Sequence, residues 1–381
     1  MTSASGQPST TTIKCVAWDI DNTLLTGTFI ESGTRQPPAD AEMTTVLAEL
    51  GRRGIVHAIA SRNPPAAAAY AAQVTGSTFV AVQCGWDRKS AAIGRILTEL
   101  GVGADALAFV DDDPYERAEV SFALPDVLVL SPEDMTDALG WPEFSPAAVT
   151  EEARRRSELY LDGKRRQAAG REFGGSRDEF LRYCQTKITI ALASGADVPR
   201  LHELSVRTHQ FNSAGEGAAE AAFLAMIGSA GREVMTVRLR DRFGDDGIVG
   251  GCVVEQGKDG KDSRWTVRLL MMSCRAMGRG VIDALLAWLI RSAAERGAPA
   301  LEVPAMLNAR NVPLRLALAA AGFRAAETAS VEGADPAAGR QQVLFRRSLD
   351  EPPPELPGWL TGPGLDQPAQ LRPSGELDGA S

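Results

Sequence analysis

Residues 13–23 read IKCVAWDIDNT, an apolar run that ends in two carboxylates, Asp19 and Asp21, one residue apart. The run predicts a buried strand that enters a polar loop. Two later segments repeat this plan, because IVHAIAS ends at Ser61 and ALAFVDDDP ends in the acids at 111–113. Helical patterns separate the strands, and such alternation predicts an α/β domain with a parallel sheet covered by helices on both faces.

The strand ends bring the candidate reactive side chains together. Reactive groups of a parallel sheet collect at the carboxyl ends of its strands, where Asp19, Ser61 and the acids at 111–113 are expected. Two carboxylates this close repel each other unless a cation lies between them, and Mg²⁺ favours hard oxygen ligands. The predicted cofactor is therefore Mg²⁺, held by Asp19, Asp21 and Asp112, with Asp111 or Glu116 in support.

The two carboxylates of DIDNT can divide the work of phosphoryl transfer. Asp19 can attack phosphorus and become an aspartyl-phosphate, while Asp21 protonates the leaving oxygen and then activates water. Hydroxyl and basic side chains near the strand ends can hold the phosphoryl oxygens, and a lysine supplies a point charge suited to phosphate. The candidate phosphate-binding residues are Thr23, Ser61, Arg62 and Lys89.

The composition is that of an ordinary globular protein with more than one domain. The 381 residues are 44% hydrophobic and 23% charged, and the net charge of −9 predicts no surface for nucleic acid or anionic membranes. The start MTSASGQPSTTT lacks the basic and apolar parts of an export signal. We therefore expect a cytoplasmic protein whose five cysteines are free thiols.

A second alternation begins near residue 176, after a charged helical connector. Three strand patterns, with GKDGKDS as a hairpin insert, precede RAMGRG at 275–280, and a helix, a strand and a last helix follow, which predicts an α+β domain. The predicted organisation is a disordered lead over 1–12, an α/β domain over 13–140, a helical connector over 141–175, an α+β domain over 176–349 and a disordered tail over 350–381.

RAMGRG also has the composition of an anion-binding turn. Gly278 and Gly280 let the backbone approach a phosphate, and the free N–H groups of the following helix favour an anion. Cys274 immediately precedes this turn and can act as a nucleophile, although a free cysteine is more often a buried apolar residue. His209, in RTHQFN, is a candidate base for that thiol. The neighbouring residues that can orient a substrate are Arg207, Gln210 and Asn212.

These segments resemble two known families. DxDNT at 19–23, Ser61, Lys89 and the acids after FV resemble the four motifs of the haloacid dehalogenase (HAD) superfamily. RxxGxG and the strands around it resemble the pyrophosphate loop of the GCN5-related N-acetyltransferases (GNAT). The resemblance implies a HAD-like Rossmannoid domain followed by a GNAT-like α+β domain. The residues that would then grip the phosphate of a phosphopantetheine arm, on an acyl carrier protein or on coenzyme A, are Arg275, Gly278 and Gly280.

The ordered set of motifs over residues 13–325 is similar to the FkbH-like family, which joins a subfamily IIIC HAD phosphatase domain to an acetyltransferase-like domain. Family members dephosphorylate the glyceryl unit of 1,3-bisphosphoglycerate and load it as a thioester on an acyl carrier protein, in polyketide and related natural-product pathways. The resemblance implies a phosphatase role for Asp19, Asp21 and Asp112 and an acyl-transfer role for Cys274. The implied partners are an acyl carrier protein and a phosphorylated small-molecule acyl donor.

The sequence departs from that family near the expected substrate. DIDNTLLTG lacks the Trp and the double Gly that usually follow the first strand, and His209 stands where Asn is commoner. The final helix lacks the usual aromatic residue, so the acyl unit can differ from glyceryl. Three alternatives stay open: a stand-alone small-molecule phosphatase with a binding-only second domain, a coenzyme A-dependent acyltransferase, and a docking scaffold for a carrier protein.

Overall fold

The computed structural model describes residues 12–31, 36–146, 149–208, 210–215, 217–257, 264–308, 311–330, 341–363 and 365. The chain divides into two units, Met1–Lys164 and Arg165–Ser381, with the boundary inside the predicted connector. Nearly all of the predicted lead over 1–12 lies outside the described residues, as do residues 258–263 of the insert GKDGKDS.

The first unit is built on a five-stranded sheet in which every strand is parallel to its neighbours. The strands are β1 (Cys15–Trp18), β2 (Val56–Ser61), β3 (Phe79–Cys84), β4 (Leu107–Val110) and β5 (Leu128–Leu130). Their order across the sheet is β3-β2-β1-β4-β5, so the direction in which the chain adds strands reverses between β1 and β4. Ligands of such sheets bind at this switch point, outside the carboxyl ends of the two strands.

Alternating side chains on β1 explain why helices cover both faces of this sheet. Val16 and Trp18 enter one hydrophobic core, whereas Cys15 and Ala17 enter the other. The helices are α1 (Ala41–Arg52), α2 (Pro65–Thr75), α3 (Lys89–Leu100), α4 (Pro114–Ala123), α5 (Pro132–Ala138), α6 (Glu151–Arg154) and α7 (Arg156–Glu172), which continues into the second unit. Residues of α1, α2 and α5 line the first core and residues of α3 and α4 the second, which confirms the predicted α/β class.

The second unit is built on a seven-stranded sheet in the order β11-β12-β10-β9-β8-β7-β6. The strands are β6 (Lys187–Leu192), β7 (Arg232–Asp241), β8 (Gly244–Glu255), β9 (Trp265–Met272), β10 (Ala300–Leu307), β11 (Arg324–Ser330) and β12 (Gln341–Ser348). Neighbours are antiparallel except β9 and β10, which are parallel and pair only through Leu301–Trp265 and Glu302–Thr266. The predicted α+β class is confirmed, although β11 and β12 follow what was predicted to be the last element.

Helices cover both faces of the second sheet as well. They are α8 (Arg177–Cys184), α9 (Val198–Arg207), α10 (Glu220–Met226), α11 (Val281–Glu295) and α12 (Val312–Ala320). Residues of α11 and α12 share one core, and residues of α9 and α10 share the other. The helix predicted after RAMGRG is therefore α11, which begins directly after Gly280.

Residues 211–213, which we call the wedge, fill the opening that β9 and β10 leave where they stop pairing. The N–H of Met272 in β9 donates to the carbonyl of Phe211 at 2.9 Å. On the other side, the N–H of Met306 in β10 donates to the carbonyl of Ser213 at 2.8 Å. The wedge therefore acts as a short inserted strand that satisfies backbone groups on both sides of the opening.

The structure differs from the predicted disordered tail in the part of 350–381 that it describes. Leu360 and Leu365 are buried in the core that contains α11. The N–H of Ile188 donates to the carbonyl of Thr361 at 2.8 Å, and a Cβ on Gly362 would overlap the Ile188 carbonyl oxygen. The prediction of disorder rested on composition, and composition does not reveal two core leucines among many prolines and glycines.

Two further expectations concern cysteines and membrane spans. The cysteines are all free, with Cys15, Cys184 and Cys252 buried. Within the described residues, no helix combines the length and the apolar character needed to cross a membrane.

His57 of β2 is a buried packing residue rather than a site residue. Trp18 Nε1 donates to His57 Nδ1 at 3.3 Å, so the other ring nitrogen carries the proton and donates to the Leu47 carbonyl at 3.0 Å. Burial lowers the pKa of His57 to about 4, because the charged imidazole would lose its hydration.

Acid should destabilise the protein through His57. An unfolded histidine titrates near pH 6.5 and the folded one near 4, so between these values the unfolded state binds more protons. The free energy of unfolding should therefore fall by up to about 3 kcal/mol as the pH drops through this window. Urea unfolding of H57Q should show a weaker pH dependence than the native chain between pH 6.5 and 4. Identical pH dependence in the two proteins would contradict the assignment.

Replacing Leu360 tests whether the last described segment belongs to the fold. L360A should lower the free energy of unfolding by about 2–5 kcal/mol, because it removes a buried side chain and leaves a cavity. L316A is the matched control, since Leu316 is 65% exposed and its loss should cost less than about 0.5 kcal/mol. Urea unfolding of the full chain measures both, and equal costs would mean that the segment adds no stability.

Candidate active site

The switch point of the first unit brings two strand ends level with each other. Trp18 pairs with Val110 in the register of β1 and β4, and the N–H of Asp19 donates to the Val110 carbonyl at 2.9 Å. Asp19 and Asp111 are therefore the first residues beyond two adjacent strands. Their closeness follows from the two apolar runs that precede them.

Asp19, Asp111 and Asp112 form a candidate metal centre. Each offers one carboxylate oxygen, and the three oxygens lie within 4.8 Å of one another. The ammonium of Lys89, the first residue of α3, contacts Asp19 Oδ1, lies 2.9 Å from Asp111 Oδ2 and donates to the Ala60 carbonyl at 2.9 Å. Because Asp19, Asp111 and Lys89 are buried, water screens these charges little.

Burial and mutual repulsion both act on these carboxylates. Burial raises the pKa of Asp19, and the Lys89 ammonium opposes that effect more strongly than the Asp111 charge adds to it. Burial also raises the pKa of Asp112, with a smaller contribution from the Asp19 charge. Burial alone would lower the pKa of Lys89, but Asp19 and Asp111 together raise it, so the lysine stays protonated.

These residues fit a divalent cation. Three carboxylates around one ammonium leave two negative charges, which is the charge that one Mg²⁺ neutralises. Thr23, a predicted phosphate-binding residue, has a buried Oγ1 without a hydrogen-bond partner in the part of the chain that the structure describes. A buried hydroxyl without a partner is costly, and a phosphate oxygen would satisfy it.

The prediction that Asp21 is a metal ligand is not matched by the structure, because its carboxylate lies outside the metal group. The chain turns directly after Ile20, with Asn22 in the left-handed region at φ 50. The turn directs Asp21 elsewhere, so that Oδ1 accepts from the N–H of Phe29 at 2.8 Å and Oδ2 accepts from Asn63 Nδ2 at 3.0 Å. The structure instead completes the group with Asp111, which the sequence placed only in support.

Ser61 and Asn63 connect the two aspartates of DIDNT. The Ser61 hydroxyl forms a hydrogen bond with the Asp19 carboxylate, and Asn63 Nδ2 donates both to Ser61 Oγ at 3.1 Å and to Asp21. Asn63 received no role from the sequence. Its sequence position could have indicated a role, because it follows the strand-end Ser61 by two residues. The end of β2 lies next to the end of β1, where Asp19 and Asp21 are found.

Arg62 lies between Ser61 and Asn63 in the sequence, but its side chain contacts residues outside β2 and its following loop. Its Nη1 lies 2.8 Å from the carboxylate of Glu116, which is buried in the first turn of α4. Its Nε donates to the Asp87 carbonyl at 3.4 Å. Glu116 is thus the ion-pair partner of a candidate phosphate-binding arginine, and it is not a member of the metal group.

Cys274 begins a short turn directly after β9, beside the wedge. Its Sγ lies 3.6 Å from Gln210 Oε1 and donates to it, so the residue before the wedge contacts the candidate nucleophile. His209, the candidate base, lies outside the described residues. Arg275 is half-buried in the same turn, and its N–H donates to Ser273 Oγ at 3.4 Å.

Asn212 does not match the prediction of a substrate-binding residue. It is buried, its Nδ2 donates to the Ser205 carbonyl at 2.8 Å, and its Oδ1 accepts from the N–H groups of Ala214 at 3.0 Å and Gly215 at 3.2 Å. These bonds fix the backbone that leaves the wedge. Polar residues that cap a buried loop and polar residues that bind a substrate look alike in sequence.

Two side chains fix the direction of peptide groups in the loop before α11. Gly278 and Gly280 adopt left-handed φ angles of 72 and 78. Arg177 Nη2 donates to the Gly278 carbonyl at 3.1 Å, and Trp359 Nε1 donates to the Arg279 carbonyl at 3.2 Å. Because a trans peptide points its N–H opposite to its C=O, the N–H groups of Arg279 and Gly280 face away from these two side chains. Successive N–H groups arranged in this way suit an anion.

A buried ion-pair network holds the same loop from within the unit. Arg279 Nη1 lies 2.5 Å from Asp246 Oδ2, and its Nη2 lies 2.8 Å from Asp241 Oδ2. Asp241 also accepts from Arg166 Nε at 2.6 Å. The segment LRDRFGDDGIVG therefore supplies both acids that fix the arginine of RAMGRG.

Comparison with known proteins gives no match to a family model and no match to a curated protein. Among solved structures, the N-terminal part of BF1531 from Bacteroides fragilis, which contains a phosphatase domain complexed with Mg, is 25% identical with a TM-score of 0.31. That match covers 34% of this chain and 39% of the other, so this chain spans well under two thirds of the Bacteroides protein's length.

Other solved structures similar to this chain include acetyltransferases. The ribosomal-protein-S18-alanine N-acetyltransferase of Escherichia coli is 16% identical, with a TM-score of 0.34 over 42% of this chain and 94% of that one. A putative acetyltransferase from Salmonella typhimurium, with its cofactor acetyl-CoA, is also 16% identical, with a TM-score of 0.33 over 43% and 95%.

Magnesium titration should distinguish the ligands from Asp21. D19N and D112N should each weaken Mg²⁺ binding by at least about tenfold, because each removes a carboxylate oxygen from the group. D21N is the matched control, because it removes the same charge from the same loop but outside the group, and it should bind Mg²⁺ within about threefold of the native chain. Calorimetric titration without substrate measures all three. A loss in D21N equal to that in D19N would restore Asp21 as a ligand.

Proposed function

We propose that the protein is an enzyme that dephosphorylates a phosphorylated acyl donor and transfers the acyl group to the phosphopantetheine thiol of an acyl carrier protein. The single observation that carries the proposal is the group at the switch point, in which Asp112 joins the buried Asp19, Asp111 and Lys89. A group of this composition suits phosphoryl transfer, because its charges match a metal-bound phosphate. The family resemblance supplies the donor, 1,3-bisphosphoglycerate or a similar molecule, and natural-product biosynthesis as the setting.

The first unit would remove the phosphate ester. A carboxylate oxygen of Asp19 attacks phosphorus, the bond from phosphorus to the ester oxygen breaks, and Asp21 protonates the leaving oxygen. Asp21 then takes a proton from water, whose oxygen attacks the aspartyl-phosphate and releases inorganic phosphate. Asn63 supports this role because its amide bonds both Asp21 and Ser61, next to Asp19. Asp19, Asp111 and Asp112 would hold Mg²⁺, which would neutralise charge on the phosphoryl oxygens when bound.

The second unit would carry the acyl group. The Cys274 sulfur attacks the carbonyl carbon of the acyl phosphate, the bond from carbon to the phosphate oxygen breaks, and an enzyme thioester forms. The pantetheine thiol then attacks that thioester and returns the Cys274 thiol. Support comes from the contact between Cys274 and Gln210, and from the loop beside it, whose N–H groups at Arg279 and Gly280 suit the phosphate of the arm.

Intact-protein mass spectrometry with 1,3-bisphosphoglycerate and Mg²⁺ tests the proposal. The native chain should gain the mass of a glyceryl group, and D19N should gain that mass plus a retained phosphate, because its ester phosphate cannot be removed. C274A should gain neither. C184A is the matched control, since Cys184 is buried in the same unit, and it should behave like the native chain.

Addition of a carrier protein separates the remaining alternatives. Loss of the adduct from the enzyme and its appearance on the carrier supports the proposal. Phosphate release with no adduct on either protein indicates a stand-alone phosphatase. Loading of coenzyme A that is unaffected in D19N indicates a coenzyme A-dependent acyltransferase, and the absence of any turnover indicates a docking scaffold.

A further inference from the structure

The acidic loop after β4 carries Asp112, a member of the metal group, between two anchored aspartates. Asp111 is buried, and its Oδ1 accepts from the N–H of Asp113 at 2.9 Å, which fixes that carboxylate. Asp113 Oδ1 accepts from the N–H of Tyr115 at 2.8 Å and starts α4. Asp112 lies between these two anchored residues, and Asn22 donates to its carboxylate from the opposite loop. The direction of the Asp112 side chain therefore depends on this contact and on what holds its backbone.

Arg117 holds that backbone through two carbonyl groups. One nitrogen, Nη1, donates to the carbonyl of Asp111 at 2.7 Å and to the carbonyl of Asp112 at 2.8 Å. These carbonyls belong to the two peptide groups that flank the Asp112 Cα. Because each peptide group is planar, fixing both sets the two backbone dihedrals of Asp112 and hence the direction of its Cβ.

The same contact opposes the repulsion within the loop. Three adjacent aspartates, at 111–113, follow β4, and their charges favour loop conformations that spread the carboxylates apart. Arg117 lies on α4, a rigid element, and its charge strengthens both hydrogen bonds to the carbonyls. The arginine thus keeps Asp112 directed toward Asp19 without contributing an atom to the metal group.

We infer that Arg117 is a positioning residue for the metal centre, and that it sets the Mg²⁺ affinity by fixing the Asp112 backbone. The inference rests on the proposed metal site. It extends that site to a residue that bonds only main-chain carbonyls of the group's residues and does not belong to the predicted site residues. Outer partners of metal ligands typically change metal affinity 10–100-fold, and the same range is expected here.

Calorimetric titration of the full chain with Mg²⁺ alone tests the inference, with no substrate present. R117Q should bind Mg²⁺ about 10–100-fold more weakly than the native chain. R117K should recover part of the loss, because an ammonium can still donate to both carbonyls. R52Q is the matched control, since Arg52 lies on α1, pairs with Glu49 and has a side chain that is 68% exposed. It should bind Mg²⁺ like the native chain.

The outcomes distinguish three cases: Arg117 positions Asp112, Arg117 only stabilises the fold, or the proposed metal centre does not bind Mg²⁺. Far-ultraviolet circular dichroism and urea unfolding without Mg²⁺ establish which variants are folded. Weak binding by folded R117Q with partial recovery in R117K supports the inference, and should R117Q not fold, R117K against R52Q provides the same comparison. Native affinity in folded R117Q overturns it. If the native chain itself does not bind Mg²⁺, the proposed metal centre fails first, and this result is distinguishable because it appears before any residue is substituted.

Discussion

Repulsion between buried carboxylates is the constraint on which the first unit depends. The register of β1 and β4 places Asp19 and Asp111 side by side, and burial makes their repulsion strong. The Lys89 ammonium offsets this repulsion, because it contacts both carboxylates. It also donates to the Ala60 carbonyl, so that the first residue of α3 is bound to three strand ends. The arrangement still carries more negative than positive charge, which is what makes it a site rather than a structural ion pair.

The two units use a common device to hold irregular loops. In each, an arginine from a helix donates to main-chain carbonyls of a loop. Without these bonds, the glycine or aspartate residues of the loop would allow its backbone several conformations. Arg117 does so for the acidic loop, and Arg177 does so for the glycine loop with the help of Trp359. Fixing carbonyls leaves the functional atoms, carboxylates in one case and N–H groups in the other, unobstructed and directed.

The sequence predicted what depends on periodicity and missed what depends on turns and burial. Apolar runs gave β1 and β4 and so placed Asp19 and Asp111 at neighbouring strand ends. The left-handed Asn22 removed Asp21 from the metal group, and a single residue's backbone angle has no periodic signal. Asn212 was taken as a binding residue because polarity alone does not reveal that a side chain is buried and bonded to its own loop. Leu360 was missed because composition averages over a segment, whereas burial concerns one side chain.

The packing of the last described segment has a consequence for biosynthesis. Trp359 reaches back eighty residues to the loop before α11, and Thr361 supplies the edge partner of β6 near the start of the same unit. A nascent chain therefore leaves the ribosome with β6 and the glycine loop incomplete until almost the whole second unit has been translated. The five described strands of the first unit lie within the first 164 residues, so this unit can fold during that interval. A first unit that folds in that interval would complete its carboxylate centre before the glycine loop of the second unit gains its contact with Trp359.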